Sequence, residues 1–81
     1  MKARVYVSLK TTVLDPQGQA VKSALNGLGY GAISDVRQGK FFDITLADGA
    51  AREEAERDID KIAREVLTNP VIEEYRVEFA D

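Results

Sequence analysis

The chain has 81 residues, 14 acidic and 11 basic side chains, a net charge of -3, and no His, Cys or Trp. Without Cys there is no disulfide, thiolate nucleophile or zinc cluster, and without His the commonest metal ligand and neutral-pH proton carrier is missing. A Ser-His-Asp apparatus cannot be built from this chain alone, so an independent catalyst would have to rely on carboxylates, Lys, Tyr or Arg.

Size bounds the fold next. A folded monomer of 8.9 kDa exposes roughly 4,800 Å² against about 12,900 Å² for the open chain, a burial of about 63%. Such a core is thin, and oligomerisation or partner binding is the expected way to complete it. The sequence reads as one domain over residues 1–81. At 44% hydrophobic and 31% charged it has an ordinary soluble composition, and no apolar run reaches the ~20 residues that span a bilayer. Lys2 and Arg4 are followed by alternation rather than an apolar stretch, which predicts no signal peptide, no membrane association and a cytoplasmic location.

Residues 3–9 alternate, with Ala3, Val5, Val7 and Leu9 on one side and Arg4, Tyr6 and Ser8 on the other, as in a half-buried strand. Asp15 suits an N-cap and Pro16 a first helical position. Val21, Ala24, Leu25 and Leu28 repeat at helical spacing and Gly29 can end the helix, so a helix is predicted over about 16–28. Two extended segments follow, 32–37 and 40–46, around a Gln38-Gly39 turn. From Ala51 the positions Ala55, Ile59, Ile62, Ala63, Val66 and Leu67 trace the stripe of a second helix, stopped by Asn69-Pro70. Val71, Tyr75, Val77 and Phe79 mark the last strand.

The order β-α-β-β-α-β predicts an α+β, ferredoxin-like two-layer sandwich: a four-stranded antiparallel sheet with both helices on one face. The other sheet face then carries Arg4, Tyr6, Ser8, Lys10, Phe41, Asp43, Thr45, Glu74, Arg76 and Glu78. Tyr6 and Phe41 in that polar field mark it as a candidate dimer face.

Four constellations suggest chemistry and argue against it on closer reading. Gly27, Gly29 and Gly31 close a helix rather than open one, the reverse of a phosphate loop. Tyr6 with Phe41-Phe42 resembles the RNA-recognition platform, but consecutive aromatics point to opposite faces and the chain is acidic, so no nucleic acid is expected. Arg37-Gln38-Gly39 resembles part of an acylphosphatase cradle, displaced from the first loop where that cradle lies. The carboxylates Glu53-Glu54, Glu73-Glu74, Asp58 and Asp60 offer metal oxygens, but Arg52, Arg57, Lys61 and Arg64 lie at ion-pairing spacing along the same helix, which favours surface pairs over a metal site. Charge is divided unevenly: residues 1–40 hold six Lys/Arg against two Asp, giving +4, and residues 41–81 hold five against twelve, giving -7. The acidic half is a solvated helix face or a dock for a basic partner.

LDPQGQAV at 14–21, AL at 24–25, LGY at 28–30, VRQGK at 36–40 and NPVIEEYRVE at 69–78, together with a Val-rich first strand, resemble the PurS family. That family is the small subunit of the multi-subunit phosphoribosylformylglycinamidine synthase, or formylglycinamide ribonucleotide amidotransferase, of purine biosynthesis. The resemblance implies a chain with no active site and no cofactor of its own, inside a complex that uses ATP, Mg and glutamine. It implies a homodimer or tetramer, partnered by a glutaminase subunit and a large synthetase subunit between which ammonia passes. The turn Asp15-Pro16-Gln17-Gly18 and the segment Arg37 to Lys40 are then expected partner contacts, with Asp15, Gln17, Arg37 and Lys40 the named residues. Read from the residues alone, a small acylphosphatase-like enzyme and an amino-acid-binding regulatory domain remain alternatives.

Overall fold

The computed structural model describes residues 1–80; Asp81, the last residue of the expected domain, lies outside them. β1 (Lys2–Leu9) is the middle strand of an antiparallel sheet, flanked by β2 (Gly39–Thr45) and β3 (Glu73–Ala80) in the order β2-β1-β3. Its alternation fixes the register: Val5 lies opposite Phe42 and Val77, and Tyr6 opposite Phe41 and Arg76. A slip of one residue would turn Ala3, Val5 and Val7, all buried, out to solvent.

The second helix, α2 (Arg52–Ile62), crosses the inner face, where Ile59, with Ala63 one turn on, packs against Ala3, Val5 and Val7; Ala55 is buried as well. Its turns then widen to π spacing over Ala63–Leu67. Ala51 provides no side-chain cap, and Glu53 and Glu54 in the first turn oppose the positive end of the helix instead. Tyr75 Oη donates to Asp60 Oδ1 at 2.9 Å, and the Arg52 guanidinium lies 5.8 Å from the Phe79 ring centre. Both contacts place α2 on the β3 side of the sheet. Of the carboxylates expected to pair along this helix, Asp60 meets Arg64 at 3.6 Å, and Glu56, not named in that expectation, meets Arg52 at 3.1 Å.

The first helix, α1 (Pro16–Gly27), starts and stops where its signals lie. Asp15 Oδ1 accepts the Gly18 amide at 2.9 Å, with Pro16 in the first turn. At the other end Gly29 takes φ +102, and the Tyr30 and Gly29 amides donate to the Leu25 and Asn26 carbonyls, both at 3.1 Å, the Schellman pattern.

The α+β class and the ferredoxin-like chain order hold, while three details differ from expectation. Residues 32–37 form no strand, so the described residues hold three strands rather than four. Local bonds claim this segment: the Gln38 amide donates to Asp15 Oδ2 at 2.7 Å, and the Asn26 side-chain amide donates to the carbonyls of Tyr30 at 2.9 Å and Ile33 at 3.3 Å. Gln38-Gly39 is accordingly no hairpin; Gly39 opens β2, where a Cβ would come within 2.9 Å of the Val7 carbonyl oxygen. Likewise α1 does not lie on the sheet with α2, since Gly18 is its one buried residue. Val71 stands outside β3 in a turn that the Asn69 carbonyl closes by accepting the Ile72 and Glu73 amides.

Residues 15–38 thus form an arm projecting beyond one end of the sheet, and the chain measures 51 × 27 × 14 Å. A compact chain of this length has a radius of gyration of about 12 Å; this one has 16.3 Å. At the root of the arm a Cβ on Gly18 would run into the Val36 carbonyl oxygen and come within 2.7 Å of Asp15 Oδ2. Gly18→Ala is therefore expected to cost about 2 kcal/mol, or on the order of 10 °C in Tm. Gly31→Ala, at a position where a Cβ meets nothing within 4 Å, is the control that stays near the parent in thermal denaturation.

Candidate functional site

The arm meets the sheet at a crevice of about 270 Å³, bordered by Ser8, Asp15, Gln17, Gly39, Lys40 and Glu73 among others. Three of the four residues expected to contact partners, Asp15, Gln17 and Lys40, converge there. Asp15 is 3% exposed, and each carboxylate oxygen accepts one backbone amide, Oδ1 from Gly18 and Oδ2 from Gln38. The Gln38 amide, then the Gly18 amide, and the nearby positive charge of Arg37 hold the Asp15 carboxyl below the ordinary carboxylate range. A buried carboxylate with both oxygens engaged is a structural clasp rather than a general base.

Arg37 does not border the crevice. Its guanidinium donates to the Lys10 carbonyl at 2.9 Å and the Val13 carbonyl at 3.0 Å, tying the return segment of the arm to the loop after β1. Both bonds come from Nη2, so part of the fork that an acylphosphatase-like cradle would aim at phosphate is turned onto backbone. Lys40 instead lies over the Phe42 ring, 5.7 Å from its centre. Among the described residues no cluster of three or more potential ligands is placed to hold a metal ion.

Tyr6 and Phe41 do come together on the outer sheet face, opposite each other across β1 and β2 with ring centres 6.2 Å apart. Arg4 stacks on Phe41 at 4.4 Å and Arg76 on Tyr6 at 4.3 Å. Each guanidinium also has a carboxylate. Arg4 binds Asp43 through two bonds of 2.7 and 3.2 Å, Arg76 pairs with Glu78, and Tyr6 Oη donates to Glu78 at 3.3 Å. The guanidinium partners keep the Asp43 and Glu78 carboxyls below their ordinary values. The result is an aromatic platform whose charges are neutralised in place.

A third surface was not foreseen as exposed. Val21, Leu28 and Tyr30 on the arm are uncovered, as are Ile62 at the end of α2 and Val66 in the π-spaced turns after it, with Leu28 at 75% and Val66 at 73% exposure. The total accessible surface is 5854 Å², about 1,000 Å² more than a compact monomer of this mass presents. The helical spacing of Val21, Leu25 and Leu28 was legible in sequence; that Val21 and Leu28 stand exposed was not.

With this geometry in view, a family model described as PurS, phosphoribosylformylglycinamidine (FGAM) synthase, matches residues 2–81. The chain belongs to the PurS family. It is 46% identical over 81 residues to the phosphoribosylformylglycinamidine synthase subunit PurS of Bacillus subtilis, covering 95% of this chain and 89% of that protein. A crystal form of B. subtilis PurS superposes with a TM-score of 0.82 at 40% identity, covering 99% of this chain and 98% of that one. A chain of the PurLQS structure from Thermotoga maritima gives a TM-score of 0.84 at 28% identity, covering 95% and 93% of the two chains. These matches run along the arm as well as the sheet.

Acid sensitivity follows from the Asp15 clasp. A carboxyl whose pKa is lower folded than unfolded adds stability above its unfolded pKa, about 3.9, and that stability is lost as pH falls through the folded value. Asp43 and Glu78 act in the same direction, though both are exposed and screened by solvent. Asn at position 15 keeps one accepting oxygen for the cap but turns an amide NH2 towards the other backbone N–H. Asp15→Asn is expected to lower the urea midpoint at pH 7 and to flatten its decline between pH 5 and pH 2.

Proposed function

We infer that this chain is the small, non-catalytic subunit of phosphoribosylformylglycinamidine synthase, where it joins a glutaminase subunit to a large synthetase subunit. PurS is a subunit of this glutamine-dependent ligase of purine biosynthesis, and the match over residues 2–81 carries the reading. The PurLQS structure from T. maritima, one of whose chains shares this fold, supports assembly with partners of that kind. In this proposal ATP, magnesium and glutamine are consumed on the other subunits, ammonia passes from glutaminase to synthetase within the assembly, and the complex works in the cytoplasm. No described helix is long and apolar enough to cross a membrane.

The geometry supports a role in shape and adhesion. Asp15 and Arg37, the groups best placed for acid-base or phosphate chemistry, are both engaged with backbone. The surface beyond that of a compact monomer, about 1,000 Å², is what one partner buries in a standard interface of about 800 Å² per side. Self-association to a dimer or tetramer is part of the proposal, with Tyr6 and Phe41 on the outer face and Gln17 and Lys40 beside the crevice offered to neighbouring subunits. Asp15 and Arg37 contribute by holding the arm that presents them.

Gel filtration of the three subunits is the test. A ternary complex is expected only when this chain is included, and glutamine-driven amidine formation is expected to fall at least tenfold when it is omitted. Turnover of any metabolite by the isolated chain, or full activity without it, would overturn the reading. Lys40→Ala is expected to weaken co-elution while leaving the Tm within about 2 °C of the parent, since an exposed lysine contributes little to folding.

A further inference from the structure

Asn or Asp stands directly before Gly at two places, Asn26-Gly27 and Asp48-Gly49. Such a pair carries its own nucleophile and electrophile: the glycine amide nitrogen attacks the side-chain carbonyl carbon and closes a succinimide ring, and glycine has no Cβ to shield that nitrogen. The fold treats the two pairs oppositely. Asn26 and Gly27 both lie in α1, where helical bonding directs the Gly27 amide to the carbonyl four residues back. The Asn26 side-chain nitrogen, which would have to leave as ammonia, donates to the carbonyls of Tyr30 at 2.9 Å and Ile33 at 3.3 Å. Nucleophile and leaving group are both engaged.

Nothing comparable restrains Asp48-Gly49. Residues 47–51, between β2 and α2, are all exposed. The Ala50 amide donates to the Ala47 carbonyl at 3.2 Å, closing a turn in which Gly49 takes φ +86. Asp48 does not share that positive φ, so the two residues occupy the central positions of a type II turn. The turn engages the Ala50 amide, not that of Gly49. Among the described residues neither the Gly49 amide nor the Asp48 carboxylate has a hydrogen-bond or ion-pair partner. A Cβ at position 49 would meet nothing within 4 Å, so the peptide between the two residues has room to rotate and bring its nitrogen onto Cγ. The flanks are fixed meanwhile: the Leu46 amide donates to the Met1 carbonyl at 3.0 Å, and the Ala55 amide to the Ala51 carbonyl at 2.9 Å. A rearrangement within 47–50 therefore leaves β2 and α2 in place.

We propose that Asp48 is a site of isoaspartate formation in the folded chain. The Gly49 nitrogen bonds to Cγ of the protonated carboxyl, and the amide proton leaves with the carboxyl hydroxyl as water, giving the succinimide. Water then adds to the main-chain carbonyl carbon of residue 48, the bond from that carbon to the Gly49 nitrogen breaks, and the nitrogen takes up a proton. Gly49 is now joined through Cγ, and the former main-chain carbonyl is a free carboxylate. One water is lost and one regained, so the mass is unchanged and no other reactant is used. The connection from β2 to α2 is longer by one methylene, and its new carboxylate is the group to which an isoaspartyl methyltransferase transfers a methyl from S-adenosylmethionine.

The full chain is held folded in warm neutral buffer for several weeks. Isoaspartate is then located by peptide mapping with electron-transfer fragmentation and counted by enzymatic methyl uptake from labelled S-adenosylmethionine. Conversion at position 48 is expected to exceed that at Asn26, and at every other Asp, at least tenfold. Asp48→Ser removes the electrophile and should abolish the uptake. Gly49→Asn, which accepts a left-handed backbone but places a Cβ beside the nitrogen, should lower it several-fold. In urea the order should reverse, because the unfolded helix frees the Gly27 amide and a side-chain amide is a better electrophile than a carboxylate. Conversion at Asn26 that outruns Asp48 in the folded chain, conversion spread evenly over the Asp residues, or uptake unchanged in Asp48→Ser overturns the proposal. So does the same order in urea as in buffer, which would show that the fold does not select the site.

Discussion

One carboxylate decides the shape of this molecule. Asp15 is buried and charged, and it is stable there because two backbone amides from distant parts of the chain donate to its two oxygens. The Gly18 amide belongs to the first turn of α1; the Gln38 amide belongs to the residue before β2. A single side chain therefore caps a helix and anchors the segment that returns from it. Arg37 repeats the device with opposite polarity, donating to two carbonyls in the loop after β1. Between them these residues bring the arm out and back through one narrow root, and they account for the absence of a ladder along 32–37.

The root explains two glycines that the sequence presents as turn formers. Gly18 lies where any Cβ would strike the Val36 carbonyl, and Gly39 where it would press on Val7. Neither has positive φ, unlike Gly29, so their role is close approach of backbones rather than conformational freedom. Three strands packed by a helix then carry the core, and among the described residues half of the six buried apolar ones are alanine. So small a core buries little beyond what holds the sheet to α2, in keeping with a protein that completes itself in an assembly.

Elements set by local signals were legible from sequence. The alternation of β1, that of β3 from Tyr75 onward, the caps at Asp15 and Gly29 and the stripe through Ala55, Ile59 and Ala63 all appear where the residues placed them. What was not legible depends on partners distant in sequence. The extended character of 32–37 was apparent, but whether its amides meet a strand or the Asp15 carboxylate depends on a bond spanning 23 positions. The stripe on α1 identified an apolar face without naming what covers it. The candidate site was legible in part: Asp15, Gln17 and Lys40 do converge, and Tyr6 does meet Phe41, whereas the bonds of Arg37 to two backbone carbonyls carry no side-chain signature and could not be read from the sequence.

The outer sheet face has a consequence for how any neighbour would sense it. Arg4 and Arg76 are each stacked on a ring and matched to a carboxylate of the same chain, so the platform reaches a partner as a nearly neutral wall of flat groups. Few mobile counterions gather on such a wall, and few are set free when it is covered. Adhesion there depends on fit and dispersion, changes little with ionic strength, and exerts no long-range pull on approach.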